Sequence, residues 1–204
     1  MTFRSVSDSP PLDTLPDLLR PGLRLLSVGL NPSIPSVVAG FYFANPRNRF
    51  WRALQLAGLD LAGAVGIEAQ ARLMARGWVG FTDVVKRPTP GAGNLRAADY
   101  RADAPLLTAK IVEHRPRVAW FHGKVAYGAY LRYAQGAATP SVEIPWGEQT
   151  ARIGESRAFV TPNPSPANAR YSLDVLVAYY KVLFEAVGIV ARSPECLTDH
   201  FVNR

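Results

Sequence analysis

Three short tracts of this sequence bring carboxamides, hydroxyls, aromatic rings and arginines together at spacings that could do chemistry. The first, Gly29-Leu-Asn-Pro-Ser33, sets a carboxamide directly after an apolar run; Gly29 allows close backbone approach and Pro32 stiffens the turn. A rigid Asn31 at the mouth of a site can orient a water molecule, whereas an isolated Asn-Pro more often closes an Asx-type turn on its own backbone. The second tract, residues 40–51, reads Gly-Phe-Tyr-Phe-Ala-Asn-Pro-Arg-Asn-Arg-Phe-Trp and interleaves rings with Arg47 and Arg49, with Arg52 just beyond. That pattern suits a base-stacking platform beside phosphate contacts and equally suits a hydrophobic loop with a solvated basic edge. The third, Asn163-Pro-Ser-Pro-Ala-Asn-Ala-Arg170, is turn-forming, and its small residues and terminal Arg170 suit a loop pressed into a nucleic-acid groove.

A fourth candidate is Asp83, which follows the apolar run 78–81 and shares a sheet end with Asn31 if the strands are parallel. A carboxamide orients water but cannot accept its proton; a carboxylate can, although an aspartate at this place also caps turns and helices. Other signals are weaker. Gly123-Lys124 lacks the earlier glycine and the following Ser or Thr of a phosphate loop. His122, at a strand end, is the kind of histidine that packs or caps more often than it catalyses. Cys196 lies in what reads as a C-terminal tail, and with His114, His122 and His200 it forms no zinc-ligand spacing, so no metal or other cofactor is expected.

The elements that must position these groups follow from periodicity and punctuation. Residues 24–30 read as a buried strand. Asn48 caps a helix through Phe50, Trp51, Leu54 and Ala57 that Gly58 ends, and a Pro- and Gly-rich loop joins that strand to that helix. A helix over 67–76 leads to a strand over 78–81, and residues 86–103 read as a long polar loop. A helix over 105–113, a strand over 117–121, a helix over 123–133, strands over 150–153 and 157–161 and a long amphipathic helix over 172–187 follow. Alternating strands and helices imply an α/β three-layer sandwich with a central, mainly parallel sheet, whose ligands sit beyond the carboxyl ends of the strands.

With 204 residues, 48% of them hydrophobic, one domain is expected: an irregular arm over 1–20, the domain over 21–187 and a tail over 188–204. Lys and Arg outnumber Asp and Glu by 23 to 16, a net charge of +7 that fits a polyanionic partner without requiring one. A single cysteine excludes an intramolecular disulfide and fits a reducing compartment. No secretory pattern opens the sequence, and no apolar stretch reaches the roughly 20 residues a membrane helix needs. A cytoplasmic monomer with no membrane partner is expected.

In order and spacing, the three tracts resemble the mismatch-specific uracil/thymine-DNA glycosylases, a branch of the uracil-DNA glycosylase superfamily. That family carries Gly-Ile-Asn-Pro-Gly after its first strand, then Gly-Phe-x-Phe-Ala-x-Pro-x-Asn-Arg-Phe-Trp, and an Asn-Pro-Ser loop before its last long helix. The resemblance spans residues 21–187 and includes Gly80-Phe-Thr-Asp-Val-Val-Lys-Arg-Pro-Thr89. It implies an enzyme that flips uracil, or thymine or etheno-cytosine opposite guanine, out of double-stranded DNA and hydrolyses the N-glycosidic bond to leave an abasic site. Carried over by position, Asn31 would orient the attacking water and Phe43 would stack on the extruded base. Gly29, Leu30, Asn48, Asn163 and Ser165 would frame the pocket and Arg170 would wedge into the duplex; the candidate phosphate contacts are Arg47, Arg49, Lys86, Arg87 and Arg170. Asp83 would take the water's proton and stabilise the positive sugar, or serve as a cap.

The chain departs from that pattern at Ser33, which replaces a glycine, at Asn163, where many relatives carry histidine, and at Asp83, where familiar members have Lys or Asn. The tract 166–170 is one residue longer than the family's Gly-Leu-Ser-Arg. The competing expectation is a basic DNA-binding module that kept the scaffold without turnover.

Overall fold

The computed structural model describes residues 13–137 and 143–190; expectations that fall on 1–12, 138–142 and 191–204, Cys196 and His200 among them, lie outside the described residues. Five strands form one sheet: β1 (Leu25–Gly29), β2 (Val79–Asp83), β3 (Val118–His122), β4 (Gly147–Ile153) and β5 (Ser156–Thr161), in the order β2-β1-β3-β5-β4. All pairings are parallel except β4 with β5, where the short Gly154 turn makes a hairpin. β1, β2 and β3 are buried almost throughout, as parallel strands covered on both faces must be.

Strand alternation divides the core into two layers. Leu25, Val79, Phe81, Val118, Trp120 and Phe159 face α2 (Phe50–Leu56), α3 (Gly66–Ala75) and α6 (Leu173–Ala186). Leu26, Val28, Ala119, Phe121, Ala158 and Val160 face α4 (Ala97–His114) and α5 (Lys124–Ala134). The expected α/β sandwich is the observed one. By the same alternation Ser27, Asp83, His122 and Thr161 project on the aromatic side, toward Tyr42, Phe43 and Phe50.

Several segments differ from expectation. The Pro- and Gly-rich connection after β1 contains a short helix, α1 (Ile34–Ala39), capped by Ser33, whose Oγ accepts from the Ser36 N–H at 3.3 Å; six residues are too few to show a period. α4 begins at Ala97, so the polar loop is shorter than 86–103 and Pro105 lies inside the helix. The Asp99 carboxylate accepts from the Arg96 N–H at 2.7 Å and fixes that earlier start, which outweighs the one interior hydrogen bond a proline removes. Asp83 is the last residue of β2 and does not follow it. Residues 13–20, read as part of an irregular arm, contribute Leu15, 1% exposed, to the core, and Leu18 bridges Phe81 antiparallel.

Candidate active site

The loops after β1, β2, β3 and β5 enclose a cleft of about 650 Å³ at the carboxyl edge of the sheet. Gly29, Leu30, Asn31, Phe43, Asn48, Asp83, Asn163, Ser165 and Arg170 all line it. Arg47, Arg49, Lys86 and Arg87 do not.

Asn31 is held by its amide nitrogen. Nδ2 donates to Thr89 Oγ1 at 2.7 Å, to the Arg87 carbonyl at 3.1 Å and to the Pro32 carbonyl at 3.2 Å. Thr89 Oγ1 in turn donates to the Gly91 carbonyl at 2.9 Å, so it has only a lone pair to offer Asn31. Acceptors on every side fix which end of the amide is nitrogen. The oxygen Oδ1 is thereby left to the cleft, as an acceptor for a water proton.

Asp83 stands beside Gly29 in the parallel register, and the two lie on the same face. Its Oδ1 occupies the space where a Cβ on residue 29 would stand, closer than real Cβ contacts allow, so glycine at 29 makes room for the carboxylate. Its Oδ2 is buried without a hydrogen bond, 3.8 Å from Lys86 Nζ. Lys86 is held elsewhere: Nζ donates to Asp17 Oδ1 at 2.8 Å and to Tyr42 Oη at 3.2 Å. Asp17 also takes Lys110 at 2.6 Å and the Thr82 hydroxyl at 2.7 Å. Burial would raise the Asp17 carboxyl, but these donors outweigh it and hold the group below its usual range. Asp83 goes the other way. Burial pushes its carboxyl up to about 7; Lys86, Lys110 and the nearby Tyr42 hydroxyl oppose the rise and the Asp17 charge adds to it.

Phe43 adopts a left-handed backbone, φ 58°, which turns its ring into the cleft. One face stacks on Phe50 with centroids 3.9 Å apart and planes 19° apart, and His122 meets it edge-on at 5.1 Å. Tyr42 lies 6.4 Å away, tilted by 51°, and the Phe43 ring lines the cleft. His122, 2% exposed, shares a 2.8 Å hydrogen bond with Ser27 across β1 and β3, and burial alone holds its imidazole down to about 3, so it is neutral at physiological pH. It packs beneath the stacking ring, as a histidine at a strand end was expected to.

Asn163 is oriented oppositely to Asn31. Its Oδ1 accepts from the Ser165 N–H at 2.9 Å in an Asx turn, which leaves Nδ2 as a donor at the cleft wall. Gly123, φ 103°, lets β3 pass close against that side chain; a Cβ there would stand 3.3 Å from Asn163 Cβ.

An acceptor for water, a buried carboxylate, an aromatic ring and an amide donor thus meet in one cleft. Residues 16–184 match the family model described as the Uracil DNA glycosylase superfamily. The chain belongs to that superfamily. Membership carries a DNA glycosylase function, the hydrolysis of a base from its sugar. Among solved structures, a solution NMR structure from Methanosarcina acetivorans, of a protein described as a candidate uracil DNA glycosylase, shares the fold with a TM-score of 0.56 at 22% identity. The similarity covers 83% of this chain and 96% of that one.

The five basic residues expected as phosphate contacts sit in different surroundings in this glycosylase. Arg49 is turned inward: its guanidinium donates to the carbonyls of Pro164 at 3.2 Å, Ser165 at 2.8 Å, Asn168 at 2.9 Å and, closer still, Tyr171. An arginine fork matches several carbonyls at once where a lysine could not, so Arg49 ties α2 to the 163–171 loop. Lys86 is committed to Asp17, and Arg87 to Asp99 at 2.8 and 2.7 Å. Arg47 and Arg170 are exposed and carry no carboxylate partner among the described residues. Asn48 Oδ1 caps the Phe50 N–H at 2.9 Å, so its amide nitrogen is what it presents to the cleft. Sequence reading missed Asp17, Tyr42 and Thr89, which act on the site through Lys86 and Asn31; each contact joins residues far apart in the chain and leaves no local signal.

Arg49→Lys is therefore expected to lower the melting temperature, by a loss of about 1–3 kcal/mol for carbonyls left without donors, while the slope of log DNA affinity against log salt stays unchanged. A slope reduced by about 0.9 would instead mark Arg49 as a phosphate contact.

Proposed function

We propose that this glycosylase excises uracil, or a uracil-like base such as thymine or etheno-cytosine opposite guanine, from double-stranded DNA, as a monofunctional enzyme of the mismatch-specific branch. The observation that carries the reading is the fixed amide of Asn31, in the same cleft as the Asp83 carboxylate and the Phe43 ring. The extruded base stacks on Phe43, and Asn163 Nδ2 donates to one of its carbonyl oxygens. Gly29, Leu30, Asn48 and Ser165 close the walls around it. Extrusion is cheapest at a mismatch, where the lost pairing is already weak, so weak pairing supplies part of the selectivity.

In the reaction the bond between the base nitrogen and the sugar C1′ breaks, with its electron pair leaving on the base. Negative charge grows on the ring carbonyls, where the Asn163 donor lies, and positive charge on the sugar. Water held by Asn31 Oδ1 adds its oxygen to C1′ and gives a proton to Asp83. That carboxylate, when ionised, also faces the positive sugar. Arg170, at the end of the loop Arg49 holds, fills the gap in the base stack, and Arg47 meets phosphate.

Asn31→Ala is expected to slow single-turnover excision from a U·G duplex by a factor of about 10²–10⁴ with duplex binding retained, because a misplaced water matters chiefly in the transition state. Near wild-type rates would remove Asn31 from the chemistry.

Asp83 must be ionised to accept the proton, so the rate should rise with pH through about 7 and level off above it. Asp17→Asn removes a negative charge that raises the Asp83 carboxyl and should move that limb to lower pH; Lys86→Met removes a positive charge that lowers it and should move the limb to higher pH. Asp83→Asn should abolish the limb along with most of the activity. Because the folded pKa lies above the unfolded one, the native state binds the extra proton between about 4 and 7 and loses stability as pH rises through that window. Asp83→Asn should therefore melt above the wild type at pH 8, with the gap closing toward pH 4. Limbs that do not move in opposite directions in the two charge variants would assign the ionisation to another group.

A further inference from the structure

The far wall of the cleft carries two aromatic rings and a lysine that the chemistry above does not use. Trp146 and Tyr171 both line it and meet edge to face, centroids 5.3 Å apart and planes at 76°. Lys124 Nζ lies 4.8 Å from the Trp146 ring, and the Arg170 guanidinium 5.8 Å from the Tyr171 ring. Both rings are half-buried. The carboxylate near Lys124 is Glu143, at 3.5 Å with its side chain 91% exposed, and so weak a surface pair exchanges readily for a phosphate.

The pair is held rigidly from behind. The buried Gln149 amide donates to the Pro145 and Gly147 carbonyls, both at 2.9 Å, and so fixes the backbone on either side of Trp146. Arg49 holds the Tyr171 carbonyl. Two preorganised rings beside cations match the alternation of base and phosphate along a nucleic-acid strand. The base to be excised has its own ring in Phe43, and a cleft of about 650 Å³ is in the range that holds a drug-sized ligand, more than one pyrimidine.

We propose that Trp146 and Tyr171 form a second stacking site, which takes the base flanking the extruded nucleotide on the substrate strand while Lys124 takes an adjoining phosphate. The proposal rests on the glycosylase reading for its substrate. It gives the enzyme a grip on the damaged strand that does not need the opposite strand.

The test uses single-stranded oligonucleotides containing one uracil, with the 5′ or the 3′ neighbour either a normal base or an abasic spacer. Trp146→Ala should lower kcat/KM on the intact strand by about tenfold or more, the usual effect of losing one base stack, and Trp146→Phe should restore most of it. The spacer should cost the wild type a similar factor on one side only and cost Trp146→Ala nothing further. Losses from the variant and the spacer that simply multiply would overturn the stacking site, as would equal loss with Trp146→Phe. Binding is read separately from quenching of tryptophan fluorescence by the same oligonucleotides. The quench should shrink in Trp146→Phe and with the spacer; an undiminished quench in Trp146→Phe contradicts the proposal. A wild type that quenches normally but releases uracil neither from these strands nor from a U·G duplex would defeat the excision reading and leave the stacking site standing.

Discussion

Burying a carboxylate in the core of an α/β sandwich costs several kcal/mol unless it is neutralised, paired or bonded. Asp83 is only partly compensated. It ends the edge strand β2 on the aromatic face of the sheet, 4% exposed, and fits because its parallel neighbour in β1 is glycine. The nearest cation, Lys86, is drawn 3.8 Å off by Asp17, which binds it at 2.8 Å and Lys110 at 2.6 Å. A carboxylate in this position gains affinity for a proton, and such mismatches between group and surroundings concentrate where proton transfer is needed. The fold tolerates the cost because the rest of β1, β2 and β3 is densely apolar on both faces.

The other site groups are arranged so that little need move when a substrate arrives. Asn31 and Asn163 are chemically identical side chains given opposite polarity by their neighbours: carbonyls and a hydroxyl lone pair capture the nitrogen of one, and a backbone N–H captures the oxygen of the other. One therefore offers an acceptor and the other a donor to the same cleft. Phe43 is backed by Phe50 and His122, and the loop that ends in Arg170 is sewn to α2 by a single arginine. Preorganisation of this kind reduces reorganisation at the moment charge separates.

Much of this was legible in the sequence because it is local. Periodicity and glycine punctuation place the strands and most helices, and their alternation yields the parallel sheet and the edge at which the site lies. The motif residues Asn31, Phe43, Asp83 and Asn163 converge on one cleft. What could not be read depends on distant partners. The polarity of Asn31 is set by Arg87 and Thr89, more than fifty residues on. Arg49 resembles a phosphate contact until the 163–171 loop folds against it with four carbonyls. Lys86 looks free until residue 17, in what reads as an irregular arm, closes on it. The interior Pro105 misleads in the other direction: the helix read as starting there begins eight residues earlier, since the cap that decides it is the Asp99 carboxylate.

The central claim is electrostatic: an aspartate held out of water beside a glycine, with its lysines diverted, remains half-protonated at neutral pH. It is tested most directly by following the Asp83 carboxyl carbon by NMR in selectively ¹³C-labelled protein as pH is varied. A midpoint at about 7 that moves down in Asp17→Asn is the predicted result. A midpoint at or below the ordinary aspartate value of about 4 would mean that Asp83 is a paired structural anion, and would contradict its role as the acceptor of the water's proton.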